Sequence, residues 1–88
     1  MHPAIIQLRG RYADIFEDVM KLIEKYCGDF RVERVRGGVD VFISDVNDAR
    51  KTISKIQKLK KAEIKMSTKY AGLRRGRVRV LFVYCLRF

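Results

Sequence analysis

The sequence has very few of the residues that build metal and catalytic centres. Among its 88 residues are two cysteines, one histidine, one proline and no tryptophan. Cys27 and Cys85 stand far apart and form no Cys-x-x-Cys pair, so no zinc-ligand spacing is present. No glycine-rich phosphate loop occurs either. We therefore expect no metal, no cofactor and no enzymatic turnover.

Long apolar runs are also missing. The longest run, Val80 to Leu86, has seven residues, whereas a membrane-spanning helix needs about 20. The first ten residues lack the basic segment and apolar core of a secretory signal. The two separate cysteines fit a reducing compartment. The sequence therefore predicts a cytoplasmic protein that has no membrane partner.

Positive charge is abundant and unevenly distributed. Lys and Arg number 20 against 10 Asp and Glu, which gives a net charge of +10. Residues 1–48 carry seven basic and nine acidic side chains, whereas residues 49–88 carry thirteen basic and one acidic. Such an excess favours a polyanionic partner, and RNA is the common case. The second half is therefore the predicted polyanion-binding surface.

The order of the predicted elements indicates the fold. Residues 12–28 place apolar side chains at helical spacing, and a second helix follows Ser44 or Asp45. The remaining segments alternate like strands, with turns predicted at Gly37-Gly38 and Gly72 to Gly76. The order β-α-β-β-α-β-β predicts an α+β, ferredoxin-like split βαβ fold with an added C-terminal strand, in one domain over residues 1–88. We expect a five-stranded antiparallel sheet with both helices on one face. The predicted buried stripes are Ile15, Val19, Leu22 and Tyr26 in the first helix, and Ala49, Ile53, Ile56 and Leu59 in the second.

The last two predicted strands form a basic hairpin. Its cations have almost no acidic side chain nearby, so they repel one another, and a phosphate backbone would remove that repulsion. The lysines of the second helix, Lys51, Lys55 and Lys58, are equally well explained as a solvated face. The predicted RNA-binding residues are Lys65, Lys69, Arg74, Arg75, Arg77 and Arg79.

The final strand also predicts a protein interface. Leu81, Val83 and Cys85 share the face of the arginines, the face that the helices leave open. A lone monomer would expose this apolar surface, so we expect a second copy or an adjoining domain to cover it. Because the sequence stops at Phe88 inside an apparent strand, a domain cut from a longer chain is the favoured alternative.

Two other functions are weaker alternatives. An acylphosphatase-like hydrolase shares this topology and would use Arg9 or Arg11 with Asn47, but Asn47 falls at the start of the second helix. Residues 36–43 occupy the place of the RNP1 motif of an RNA-recognition module. Gly38 and Asp40 stand where that motif has aromatic residues, which argues against base stacking.

Three segments resemble a known family. "AIIQLRG", "GGVDVFISDVNDARK" and "IKMSTKYAG" are similar to the domain that follows the zinc-binding region in the NMD-type large ribosomal subunit export adaptor family. Archaeal members are described as "NMD protein affecting ribosome stability and mRNA decay". The resemblance implies a non-catalytic factor that binds rRNA and proteins of the large ribosomal subunit. The family's paired Cys-x-x-Cys ligands and a leucine-rich export segment are not found in these 88 residues, so the resemblance here concerns ribosome binding.

Overall fold

The computed structural model describes residues 3–74 and 77–88, and it describes side chains for residues 3–69 and 80–88. The predicted order of helices and strands is confirmed. The elements are β1 (Ala4–Arg9), a 3-10 helix (Ala13–Ile15), α1 (Phe16–Tyr26), β2 (Phe30–Val35), β3 (Gly38–Ile43), α2 (Val46–Leu59), β4 (Glu63–Arg74) and β5 (Arg77–Arg87).

The five strands form one mixed sheet in the order β2-β3-β1-β5-β4. The pairs β2/β3, β1/β3 and β4/β5 are antiparallel, but β1 and β5 are parallel. The prediction of a purely antiparallel sheet is therefore wrong. The cause is the position of the added strand: β5 turns back from β4 and lies between β4 and β1, so it runs in the direction of β1. The two edges of the sheet are consequently β2 and β4.

Both helices pack on one face of the sheet around an apolar core. Alternate residues of β1, namely Ala4, Ile6 and Leu8, are fully buried, as expected when successive side chains of a strand point to opposite faces. They join buried residues of the helices and of β3 and β5 in one cluster. The other members are Val19, Ile23, Cys27, Val39, Val41, Ile43, Ala49, Ile53, Ile56, Tyr84 and Leu86.

The buried stripes of the helices differ in detail from the prediction. In α1 the buried residues are Val19 and Ile23, while Leu22 packs at the border of the core. In α2 the residue Leu59, the last of the helix, is 48% exposed. The sequence also missed Thr52, which is fully buried and donates its hydroxyl to the carbonyl of Asp48 at 2.8 Å.

The start of α2 and the β2–β3 turn follow simple local rules. Of the two predicted caps, Asp45 is the one used: its carboxylate accepts a hydrogen bond from the backbone amide of Asn47 at 2.8 Å. The turn consists of Arg36 and Gly37, since Val35 pairs with Gly38. Gly37 has φ 84°, a conformation that glycine adopts without steric cost.

The strands of the β4–β5 hairpin are longer than the neighbouring strand β1. β1 has six residues and pairs with the segment Phe82 to Arg87. Residues 77–81 of β5 therefore extend beyond β1, by about 16 Å at the usual rise per residue. The register of the hairpin shifts between Tyr70 and Gly72, which is a β-bulge. The hairpin thus carries backbone well past the body of the domain.

Candidate nucleic-acid interface

The face of the sheet opposite the helices has an apolar centre and polar edges. Strand register places Ile5 beside Val83 on β5 and beside Phe42 on β3. In the next row Gln7 lies beside Cys85 and Asp40. Ile5, Phe42 and Cys85 are partly exposed, whereas Val83 is 4% exposed. We call this side of the sheet the open face.

The β4 edge of the open face is basic. Lys65 and Lys69 are exposed, and register places them opposite Cys85 and Leu81. They are four positions apart in the strand, so their backbone positions are about 13 Å apart. A pocket of about 170 Å³ beside Lys65 is lined by Glu63, Lys65, Cys85 and Arg87. Ligand pockets usually hold about 300–1,000 Å³, so this one suits at most a small ion or waters.

The other end of the open face is neutralised by an ion pair. The Nη2 atom of Arg9 lies 2.8 Å from Oδ1 of Asp40, and its Nη1 donates to the carbonyl of Leu8 at 3.0 Å. Arg9 reaches Asp40 across Gly38, its partner in the register. A Cβ atom at Gly38 would lie against the Leu8 carbonyl oxygen and the Arg9 side chain. The glycine therefore allows Arg9 to cross the strand and hold Asp40.

These contacts bear on the hydrolase alternative. That function requires an arginine near β1 to bind phosphate, but the guanidinium of Arg9 is already engaged with Asp40. Asn47 lies in the first turn of α2, where its backbone amide is bound to Asp45. The geometry of Arg9 and Asn47 gives the hydrolase alternative no support.

Comparison with known proteins identifies the family. A family profile described as "NMD3, second domain" matches residues 1–88, the full length of the chain. The chain belongs to the NMD3 family. The match confirms the resemblance to NMD-type proteins and the position of the domain after the zinc-binding region. The NMD3 family is associated with the large ribosomal subunit and is not a known family of enzymes. No curated protein sequence matches the chain.

The predicted RNA-binding residues of this NMD3 domain fall into two groups. The side chains of Lys65 and Lys69 are described, and both are exposed at the β4 edge. Arg74 ends β4, while Arg77 and Arg79 lie in β5, but their side chains are outside the described part. Arg75 is outside the described residues altogether, as is Gly76 of the predicted turn. Their contact with phosphate stays a prediction.

The predicted protein interface of the NMD3 domain is only partly at the surface. Leu81 and Cys85 are partly exposed, but Val83 is almost fully buried in the monomer. The structure adds Ile5 and Phe42, whose partly exposed side chains lie in the same row as Val83. The alternation of Ile5, Gln7 and Arg9 in β1 was the sequence signal that could have identified Ile5.

The described residues contain neither a group of metal ligands nor a membrane-spanning helix. In residues 3–74 and 77–88 no group of three or more His, Cys, Asp or Glu side chains could hold a metal ion. Neither helix in that part of the chain is long and apolar enough to cross a membrane.

Proposed function

We propose that this domain holds rRNA on the large ribosomal subunit by binding the phosphate backbone with its β4–β5 hairpin. It acts there as a non-catalytic, cytoplasmic part of a factor in subunit maturation or linked mRNA decay. The proposal combines the ribosomal association of the NMD3 family with the charge of this chain. It assigns phosphate contacts to Lys65, Lys69, Arg74, Arg75, Arg77 and Arg79.

The main support for the proposal is a basic hairpin whose end extends past β1. Lys65 and Lys69 are exposed on the edge strand, and residues 64–88 contain no acidic side chain. Residues 77–81 extend past β1, so a bulky polyanion can approach them without touching the helices. Contacts of this kind bind backbone and carry no sequence preference.

The salt dependence of RNA binding tests this function. Replacing Arg74, Arg75, Arg77 and Arg79 by Gln should weaken binding to purified large subunits and to rRNA fragments. Each lost phosphate contact lowers the slope of log affinity against log salt by about 0.7 to 0.9. The slope should therefore fall by about 3 if all four arginines contact phosphate, and the loss should be similar for unrelated RNA sequences.

A matched variant controls for net charge. It replaces four exposed cations outside the hairpin by Gln, namely Lys21, Arg31, Arg36 and Lys61. Its charge equals that of the hairpin variant, so general attraction changes equally in both. The proposal is wrong if both variants, still folded by circular dichroism, show the same affinity and the same salt slope.

The open face supports a second candidate function, a protein–protein contact. Ile5, Phe42, Leu81 and Cys85 present partly exposed apolar surface between the polar edges. A second copy or an adjoining domain would cover it. Sedimentation of the wild-type chain and of a Leu81→Ser variant tests this, because a dimer that dissociates in the variant supports the contact. Monomeric behaviour of both, together with no binding of the other domains of an NMD3 protein, argues against it.

A further inference from the structure

The helix side of the domain carries a cluster of cations that the hairpin does not explain. Tyr26 is the last residue of α1, and three lysine ammonium groups lie around its ring. The Nζ atom of Lys25 is 5.4 Å from the ring centroid, and those of Lys51 and Lys55 are each 5.9 Å from it. Because each nitrogen is within 5.9 Å of the same ring centroid, no two of them can be more than about 12 Å apart. We call these four residues the Tyr26 cluster.

None of the three lysines is neutralised by an ion pair. Two ion pairs between described residues join Arg9 to Asp40 and Lys60 to Asp14, and neither involves these lysines. Asp45 and Asp48, at the start of α2, act on the thiol of Cys27 beside the cluster, yet neither forms an ion pair with Lys25, Lys51 or Lys55. The cluster therefore holds three lysines, none of which is ion-paired.

Packing alone does not account for three lysines at one ring. One cation over an aromatic face is a common stabilising contact. A further cation at the same ring gains a similar attraction but is also repelled by the first, since like charges repel one another. Lys51 and Lys55 are four residues apart on α2, where two like charges destabilise a helix. An anion bound among the three would remove these repulsions.

We propose that the Tyr26 cluster is a second phosphate-binding site, which contacts an RNA segment other than the one at the hairpin. Its lysines supply point charges to phosphate oxygens, and the Tyr26 hydroxyl can donate a hydrogen bond. The helices cover one face of the sheet, whereas Lys65 and Lys69 lie on the opposite face. One continuous duplex cannot pack against both faces, so the domain is held between two segments. The inference rests on the proposed function for the identity of the polyanion, RNA.

Fluorescence anisotropy with a mixed-sequence RNA duplex of about 16 base pairs tests the site. The variant replaces Lys25, Lys51 and Lys55 by Gln. Between about 50 and 200 mM salt its slope should fall by about 2 to 3. The matched control replaces Lys21, Arg36 and Lys61 by Gln, and its salt slope should fall by less than about 1. A variant with Arg at 25, 51 and 55 keeps the charge and should retain the wild-type slope.

The outcomes separate this inference from the function of the hairpin. If the Gln variant at the Tyr26 cluster behaves like its control while the hairpin variant loses binding, the second site is wrong and the proposed function stands. If only the cluster variant loses binding, the hairpin assignment is wrong and the second site stands. If the cluster variant binds RNA normally but loses binding to poly-glutamate, the patch receives acidic protein and the RNA assignment is overturned.

The number of bound duplexes tests whether two segments are held. With RNA in excess, sedimentation should show wild-type domain carrying two duplexes, and either the hairpin variant or the cluster variant carrying one. A wild-type complex limited to one duplex would overturn the claim of a second segment. Circular dichroism of each variant checks that the substitutions leave the fold intact.

Discussion

The centre of the sheet and its β4 edge follow the same alternating pattern but end in different environments. On β1 the helix-facing residues Ile6 and Leu8 are fully buried. On β4 the residues of the same phase, Ile64 and Met66, are 41% and 58% exposed. The difference arises because the helices pack over the central strands, and β5 displaces β4 to the edge. Alternation therefore predicts which way a side chain points, whereas strand order decides whether anything covers it.

The largest expected effect on stability comes from shortening a helix-facing side chain of β1, and the matching change on β4 is its comparison. Ile6→Ala should lower the free energy of unfolding by about 2–5 kcal/mol, because it leaves a cavity in the core. Met66→Ala should change it by no more than about 0.5 kcal/mol, because an exposed side chain loses little packing. Urea denaturation measures both. Equal losses in the two variants would show that something covers the helix-facing side of β4.

A smaller effect is expected where two backbones approach closely. Gly38→Ala places a Cβ atom against the Leu8 carbonyl and the Arg9 side chain, and overpacking of this kind costs about 1–3 kcal/mol. Gly28→Ala is the control, since no atom lies within 4 Å of its Cβ position. It should stay within about 0.5 kcal/mol of wild type in the same urea experiment. A stable Gly38→Ala protein would mean that Arg9 does not need to cross the strand there.

The two cysteines should differ in reactivity, because they lie on opposite faces of the sheet. Burial raises the pKa of the Cys27 thiol above its usual value, and the nearby Asp48 and Asp45 carboxylates raise it further. Cys85 is partly exposed on the open face. At about pH 8, iodoacetamide should therefore modify Cys85 well before Cys27, as followed by mass spectrometry. In urea the two rates should become equal; equal rates in the folded protein would contradict the buried position of Cys27.

The same raised pKa has a consequence for stability. The folded protein favours the neutral thiol of Cys27. The contribution of this thiol to folding stability is therefore fully present below the unfolded pKa of about 8.5, and it is lost as the pH rises through the higher folded pKa. The urea midpoint of wild type should fall more steeply in this alkaline range than that of Cys27→Ala. Parallel declines in the two proteins would show that another group causes the loss.

The smallest effect concerns an exposed ion pair beside the core. Lys60 Nζ lies 3.1 Å from Oδ2 of Asp14, and this hydrogen bond lowers the pKa of the Asp14 carboxyl below 3.8. Its stabilising contribution is therefore present above the unfolded pKa and lost as the pH falls through the lower folded value. Asp14→Asn should differ slightly from wild type in urea midpoint near neutral pH and match it in strong acid. A difference that persists unchanged in acid would exclude the ion pair as its source.

Local patterns predicted more of the fold than of the candidate sites. Periodicity located both helices and all strands, since it depends on neighbours within a few residues. It could not show that Asp40 is neutralised by Arg9, because those residues are 31 positions apart. It also left open whether Lys51 and Lys55 form only a solvated face, since their approach to Tyr26 depends on how α1 and α2 pack. Sites that combine distant elements are the ones that local patterns miss.

The sequence by itself determined the charge of the two halves and the faces of the strands. Each of these depends on composition or on residues close in the chain. Only the tertiary structure decided that β5 lies between β1 and β4, that their pairing is parallel, and that Val83 is buried while Met66 is exposed. The physical reason is that every strand offers hydrogen bonds on both of its edges, so its sequence does not specify its neighbour. That choice is made by the packing of the whole sheet against the helices.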